Sequence, residues 1–209
     1  FRIGSVGKAL PDTEVKIAED GEILIKGPQV MQGYYKDPEQ TAEVLKNGYF
    51  HTGDIGEIDN DGFLKITDRK KSMFKTSGGK YVAPQLIENA MKQSSFIEQI
   101  LVVGDGEKMP AALIQPNWEW INQWSSLKSH DISQDTAIAC RDEKLIARIQ
   151  QEIDFHNEGF GSWEKVKTFQ LTPDVWSIEA GHLTPTMKSK RKVIKEMYKD
   201  LYEKLYGRS

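Results

Sequence analysis

Apolar residues alternate with polar ones through the first third of the chain, and then the period changes. Val15 and Ile17 are spaced by polar residues, as are Ile23 and Ile25, which is the two-residue period of half-buried strands. Ala18-Glu19-Asp20-Gly21 between them supplies a turn, with Gly where a positive φ costs least. The whole stretch GSVGKALPDTEVKI (4–17) reads as strand. Asp37-Pro38 starts a short helix, Asp as N-cap and Pro at the first helical position, that ends before Asn47-Gly48. A second hairpin is expected over 56–58 and 63–67, turned by Asp59-Asn60-Asp61-Gly62.

Beyond Lys75 the texture becomes alternating helix and strand. Pro84 opens a helix with Leu86, Ile87, Ala90 and Met91 on one face. Residues 97–103 and 111–114 read as paired strands, and 166–171 as a further strand. Residues 142–156 read as a helix with Leu145, Ile146, Ile149 and Ile153 at helical spacing. Trp118, Trp120 and Trp124 read as a helix face packed on this second part. An amphipathic helix over 189–206, carrying Val193, Ile194, Met197, Leu201 and Leu205, comes last. The expected class is α+β, a small β-rich part followed by an α/β part. The charged cluster Asp68-Arg69-Lys70-Lys71 marks the expected break, dividing residues 1–69 from 70–209.

Composition narrows the class. An apolar share of 38% and a charged share of 28% are those of an ordinary globular protein, and 209 residues suffice for one large or two small domains. No apolar run reaches the roughly 18 residues of a membrane span, and no basic-then-apolar leader opens the chain. The single Cys140 excludes an internal disulfide and fits a reducing compartment, so a cytoplasmic location is expected, compatible with peripheral membrane contact. Cys140 lies in AIACRDEK with no His nearby and reads as a structural or exposed thiol. His130, His156 and His182 are not at metal-ligand spacing. The chain opens on Phe1-Arg2 in mid-pattern, so it is expected to be a piece of a longer protein.

Net charge is −3, but it is segregated: residues 188–209 hold eight Lys and Arg against three Asp and Glu. Lys188-Ser189-Lys190-Arg191-Lys192 has the composition of a nucleic-acid patch. The acidic remainder and the lack of any nucleic-acid motif favour a solvated helix face, and no nucleic acid is expected as a partner.

The densest chemistry lies in GYFHTGDIGEIDNDGFLKITDRKKSMFKTSGGKYVAP (48–84). It joins an acidic Gly-flanked loop, a hairpin, a charged joint and a Gly-rich turn, which suggests a nucleotide ribose site followed by a hinge. The acidic turn at 59–62 invites a calcium-loop reading, but the Glu at the twelfth position and the flanking helices are absent.

These segments resemble the adenylate-forming superfamily of acyl-CoA synthetases, luciferases and peptide-synthetase adenylation domains. GEILIKGPQVMQGYYKDPEQT (21–41) is similar to its sixth core motif and YFHTGDIG (49–56) to its seventh. GFLKITDRKK through GGKYVAPQLIE (62–88) is similar to the eighth and LTPTMKSKR (183–191) to the tenth. The wording is most similar to long-chain fatty acid–CoA ligases. The resemblance implies a β-subdomain ending a large AMP-binding domain (1–69) and a mobile C-terminal lid (70–209). It implies ATP, a fatty acid and CoA as substrates, with AMP and pyrophosphate released. The phosphate loop, the Mg2+-binding acid and the acyl tunnel are then expected upstream of Phe1, and the 209 residues alone are expected to be inactive. A rival enzyme sharing every motif is an acyl-AMP ligase that loads a carrier protein. A rival of another class is a non-catalytic module that binds through the basic C-terminal helix.

By the same resemblance Asp54 binds the ribose, and a carboxylate is suited to accept from both hydroxyls of a diol. Gly53 lets backbone approach the ligand, and His51 packs near the nucleotide without serving as a base. The Arg69 guanidinium, at a strand end after Asp68, reaches ribose and α-phosphate. Ile66 lines the nucleotide pocket. Lys71 is the hinge. Gly78, Gly79 and Lys80 bind CoA, the Gly pair admitting the pantetheine arm beside backbone. Lys188 is the catalytic residue, neutralising charge that develops on carboxylate and α-phosphate. The usual dipeptide there is Gly-Lys, and here it is Met187-Lys188.

Overall fold

The alternating residues of the first third form one antiparallel sheet. In the computed structural model, which describes residues 2–208, Glu14–Ile17 (β1) pairs with Glu22–Lys26 (β2) in the expected hairpin. Asp37 caps Pro38–Val44 (α1), its carboxylate accepting from the Gln40 N–H at 2.9 Å. That helix is shorter than expected. Leu45–Lys46 (β3) turns back through Asn47 and Gly48, at φ of 53° and 79°, onto Tyr49–Ile58 (β4). Two successive positive φ values make the tight primed turn whose twist suits a hairpin, and that pairing replaces the last helical turn.

The acidic Gly-flanked loop expected around Gly53-Asp54 is a correction: those residues lie within the ten-residue strand β4. β2 lines one edge of β4, and β3 and then Leu64–Arg69 (β5) line the other. Register shifts between Ile55 and Gly56, where a Cβ on Gly56 would lie 2.5 Å from the Lys65 carbonyl oxygen. The expected strand over 4–17 is realised only from Glu14, because Gly4, Gly7 and Asp12 take positive φ; before it, Gly7 makes a single bridge to Leu64. The turn at 59–62 is closed by the Asp59 carboxylate, which accepts the N–H groups of Asp61 and Phe63, and Arg2 pairs with Asp59 and Asp61.

The chain divides into two compact units between Met73 and Phe74, a few residues past the charged cluster. Ser72 and Met73 still donate to the Arg69 carbonyl, which keeps them with the first unit.

The second unit opens with the short hairpin Phe74–Lys75 (β6) and Tyr81–Val82 (β7), then Pro84–Met91 (α2). Its sheet is ordered β10-β9-β8, with Ile97–Val103 (β8) antiparallel and Thr168–Leu171 (β10) parallel to Ala111–Pro116 (β9). Every residue of β9 is buried, which explains its unbroken apolar run: both faces are covered. Ile100, Val102, Ala112 and Ile114 face α2 residues Ile87 and Met91 and the Leu145, Ile149 and Ile153 of Glu143–Asn157 (α5). Leu101, Val103, Ala111 and Leu113 face Trp176, Leu183 and the C-terminal helices. Trp118–Leu127 (α3) and Thr136–Ala139 (α4) flank the first layer, with Trp118 and Trp124 packed on it and Trp120 42% exposed.

The expected single C-terminal helix is two, Arg191–Met197 (α6) and Lys199–Leu205 (α7), broken at Tyr198 (φ −107°, ψ 37°). The buried residues are Ile194, Tyr198, Tyr202 and Leu205, whereas Val193 and Met197 are exposed. The helical hydrogen bonds still run through the break, the Tyr198 N–H donating to the Ile194 carbonyl and the Tyr198 carbonyl accepting from the Tyr202 N–H. No helix among the described residues is long and apolar enough to cross a membrane.

Candidate nucleotide and adenylation sites

Strand ends assemble the first site. β4 and β5 place Asp54 opposite Arg69, and Nε of Arg69 lies 2.7 Å from Oδ1 of Asp54. The Asp54 side chain is 21% exposed and that of Arg69 is 67% exposed, so the pair opens to solvent. Gly53 takes φ of +69° with nothing within 4 Å of a Cβ built there, which leaves bare backbone beside Asp54. The Asp54 N–H donates to the Thr52 hydroxyl at 3.1 Å, and that hydroxyl donates to the Ile23 carbonyl at 2.8 Å. Ile66, three residues before Arg69 on β5, is 46% exposed.

Sequence reasoning gave no role to Glu22, which organises this region. Its side chain is 5% exposed. Oε1 accepts the Gly53 N–H at 3.0 Å, and Oε2 accepts from Nδ1 of His51 and Nζ of Lys70, each at 2.9 Å. Because a carboxylate only accepts, Nδ1 is the protonated nitrogen of His51. Lys70 also reaches Asp20 at 2.7 Å, and its N–H donates to the Gly53 carbonyl at 2.8 Å. Glu22 thus fixes both neighbours of the Asp54–Arg69 pair. Glu22, His51, Thr52, Gly53, Arg69, Lys70 and Lys71 line a cleft of about 350 Å³ together with residues of α1. Lys71 itself is exposed.

Burial alone would push the Glu22 carboxyl up, but Lys70, His51 and the Gly53 N–H outweigh it and hold it below the usual value of 4.5. A carboxyl depressed on folding stabilises above its unfolded pKa and loses that contribution as pH falls below it. The stability difference between wild type and Glu22→Gln is therefore expected to be constant above pH 4.5 and to shrink below it. Urea melts of the two proteins from pH 7 to pH 3 check this. A difference that grows on acidification would reverse the assignment.

The second unit carries the other expected residues in two turns. Gly78 and Gly79 lie in the β6–β7 turn, where Gly79 has φ of +79°, its N–H donates to the Thr76 carbonyl and the Thr76 N–H donates to that of Lys80. Nζ of Lys80 lies 5.5 Å from the centre of the Trp163 ring. Lys188 is exposed in a ladder between 182 and 190. Leu183 bridges Ser189, the Lys190 N–H donates to the His182 carbonyl at 2.8 Å, and the Thr184 N–H to the Lys188 carbonyl at 2.8 Å. Met187 has φ of 60°, a left-handed conformation that a Gly would hold without strain.

Arg191 corrects the picture of a uniformly solvated basic tail. It donates to Oε1 of Glu88 at 2.6 Å and to the Val102 carbonyl, while the same Glu88 oxygen accepts the Val102 N–H at 2.8 Å. Glu88 is buried on α2 with Pro84, Ile87 and Met91, whereas the expected face held Leu86 and Ala90 in place of Pro84 and Glu88. Its only sequence signal was an acidic residue interrupting an apolar stripe. Cys140 is half-buried, and burial pushes its thiol up to about 12, which suits a structural thiol. Among the described residues no group of three or more His, Cys, Asp or Glu is placed to hold a metal ion.

The chain is similar to known proteins. The family model for the AMP-binding enzyme C-terminal domain covers residues 72–209. The long-chain-fatty-acid–CoA ligase FadD15 of Mycobacterium tuberculosis is 37% identical over 208 residues, covering 100% of this chain and 35% of its own length. Human long-chain-fatty-acid–CoA ligase 1 is 35% identical over 219 residues, covering 98% of this chain and 31% of its own. The chain thus spans about a third of the length of the curated relatives it matches. Among solved structures, the A domain of the carboxylic acid reductase from Segniliparus rugosus, in complex with AMP and a co-purified carboxylic acid, superposes with a TM-score of 0.72. It is 26% identical and covers 95% of this chain and 32% of that one. With a matching domain model over residues 72–209 and relatives aligned along essentially its whole length, the chain belongs to the family of AMP-binding, adenylate-forming enzymes.

Proposed function

We propose that the chain is the C-terminal portion of an ATP-dependent long-chain fatty acid–CoA ligase. In that reaction a fatty acid carboxylate attacks the α-phosphate of ATP and pyrophosphate leaves. The CoA thiol then attacks the acyl carbon and AMP leaves. The observation that carries the reading is the Asp54–Arg69 pair, an acceptor for a diol joined to a donor for a phosphate at the ends of adjacent strands.

Asp54 binds the ribose hydroxyls, Arg69 the ribose and α-phosphate, and Ile66 the flank of the nucleotide. Lys188 supplies positive charge during adenylation, and Gly78, Gly79 and Lys80 border the CoA arm. Lys71 is the hinge: it follows Lys70, which is held to Gly53, Asp20 and Glu22, and lies close before the division between the two units. A few dihedrals there suffice to switch the enzyme between its half-reactions. ATP, fatty acid and CoA are the substrates, and the site of action is cytoplasmic.

Relatives 35–37% identical are named as CoA ligases, which favours CoA over a carrier protein as acceptor. The test is an assay of the whole protein with ATP, a long-chain fatty acid and CoA. Acyl-CoA and AMP are expected in equal amounts, with acyl-AMP accumulating when CoA is left out. The 209 residues alone are expected to yield no thioester. CoA-independent transfer to a carrier protein would overturn the choice of acceptor, and thioester formation by the 209 residues would overturn the division of labour.

A further inference from the structure

We infer that His182, Tyr198 and Asp174 form a relay of positioning residues that holds the turn carrying Lys188 in its working geometry. The inference rests on the proposed adenylation role of Lys188.

The three side chains admit one consistent set of protons. Nδ1 of His182 accepts the Ser177 N–H at 3.4 Å, so Nε2 is the protonated nitrogen. Nε2 lies 3.2 Å from the Tyr198 hydroxyl, which donates in turn to Oδ2 of Asp174 at 2.9 Å. His182 is 2% exposed and Tyr198 8%, so the first links are shielded while the Asp174 end meets solvent. Trp176 stacks on both rings, 6.1 Å from His182 at 10° and 6.2 Å from Tyr198 at 25°. Burial lowers the pKa of His182 against the pull of Asp174, which keeps the ring neutral near pH 7 and this proton pattern intact.

What the relay holds is the base of the Lys188 ladder. The His182 N–H donates to the Ser177 carbonyl at 3.0 Å, and its carbonyl accepts the Lys190 N–H at 2.8 Å. Leu183, fully buried, is the next rung, and Thr184 and Lys188 close the tip. Tyr198 fixes the same base from the far end of α6, at the break between α6 and α7. A buried network satisfied along its length specifies one arrangement, where apolar packing tolerates several. A charge that acts on a transition state needs such placement, because a displacement of about 1 Å can cost up to 10²-fold in rate.

The experiment uses Tyr198→Phe, His182→Ala and His182→Gln in the whole protein, beside Lys188→Ala. Tyr198→Phe keeps the stacked ring and removes both hydrogen bonds. It is expected to slow adenylation about tenfold, with KM for ATP and fatty acid unchanged and thioester formation from preformed acyl-AMP unchanged. His182→Gln keeps an N–H that reaches Tyr198 and is expected to recover most of the rate that His182→Ala loses. Amide hydrogen exchange at Met187 and Lys188 is expected to quicken about tenfold in Tyr198→Phe. If Lys188→Ala slows adenylation but Tyr198→Phe does not, or slows both half-reactions alike, the relay is wrong and the proposed function stands. If Lys188→Ala leaves adenylation unchanged, the functional reading fails; exchange at 187 and 188 then decides the relay, and unchanged exchange overturns it.

Discussion

Lys188→Ala in the whole protein is expected to slow acyl-adenylate formation by about 10²-fold or more, while thioester formation from supplied acyl-AMP stays close to wild type. The magnitude follows from a preorganised charge contributing on the order of 3 kcal/mol to a transition state, at 1.36 kcal/mol per factor of ten. The asymmetry follows from where charge develops. In the first step an anionic carboxylate is brought against the α-phosphate, whose oxygens and departing pyrophosphate carry the negative charge as the new bond forms, and an ammonium there is worth most. In the second step the adenylate leaves as an already stable anion. Stability is expected to be unchanged, because the Lys188 side chain is exposed and the ladder is closed by backbone bonds and by the Thr184 hydroxyl accepting the Lys188 N–H at 3.1 Å. Pyrophosphate exchange measures the first step, and thioester formation from synthetic acyl-AMP the second. Equal losses in both would remove Lys188 from the role given to it.

The parts of the fold written in local periodicity were legible. The Val15–Ile25 alternation gave its hairpin, Asp37-Pro38 gave a capped helix, and the β8 and β9 runs gave paired strands. At the C-terminus the helix is interrupted at Tyr198, whose partners His182 and Asp174 lie 16 and 24 residues away, outside any local window. The family motifs pointed to Asp54, Arg69 and Lys188 but not to what supports them. Glu22 meets Lys70 across 48 residues and Glu88 meets Arg191 across 103. A charged residue in an amphipathic pattern is read as solvent-facing until its partner is known, and a buried carboxylate is tolerable only with that partner. The missed residues therefore share one property: each is buried by a contact that no local window contains.

Asp54→Ala is expected to weaken AMP binding to the whole protein by about 10²-fold, with little change in stability. Two effects separate here. As an ion pair, Asp54 and Arg69 are exposed on the Arg69 side, and pairs of that kind contribute under about 1 kcal/mol to folding. As a nucleotide ligand, Asp54 offers charge-assisted hydrogen bonds of about 1.5–3 kcal/mol each, and 1.4 kcal/mol is a factor of ten in affinity. Oδ1 is occupied by Arg69, so Oδ2 is the oxygen free to take a first hydroxyl without disturbing the pair. Asp54→Asn keeps a neutral acceptor and is expected to fall between wild type and Asp54→Ala. Titration calorimetry with AMP, and with its 2′-deoxy analogue, makes the assignment specific. Wild type should discriminate between the two ligands, and Asp54→Ala should bind both equally weakly. If Asp54→Ala instead loses stability and keeps its affinity and its discrimination, the pair serves only to join β4 to β5, and the ribose is held elsewhere.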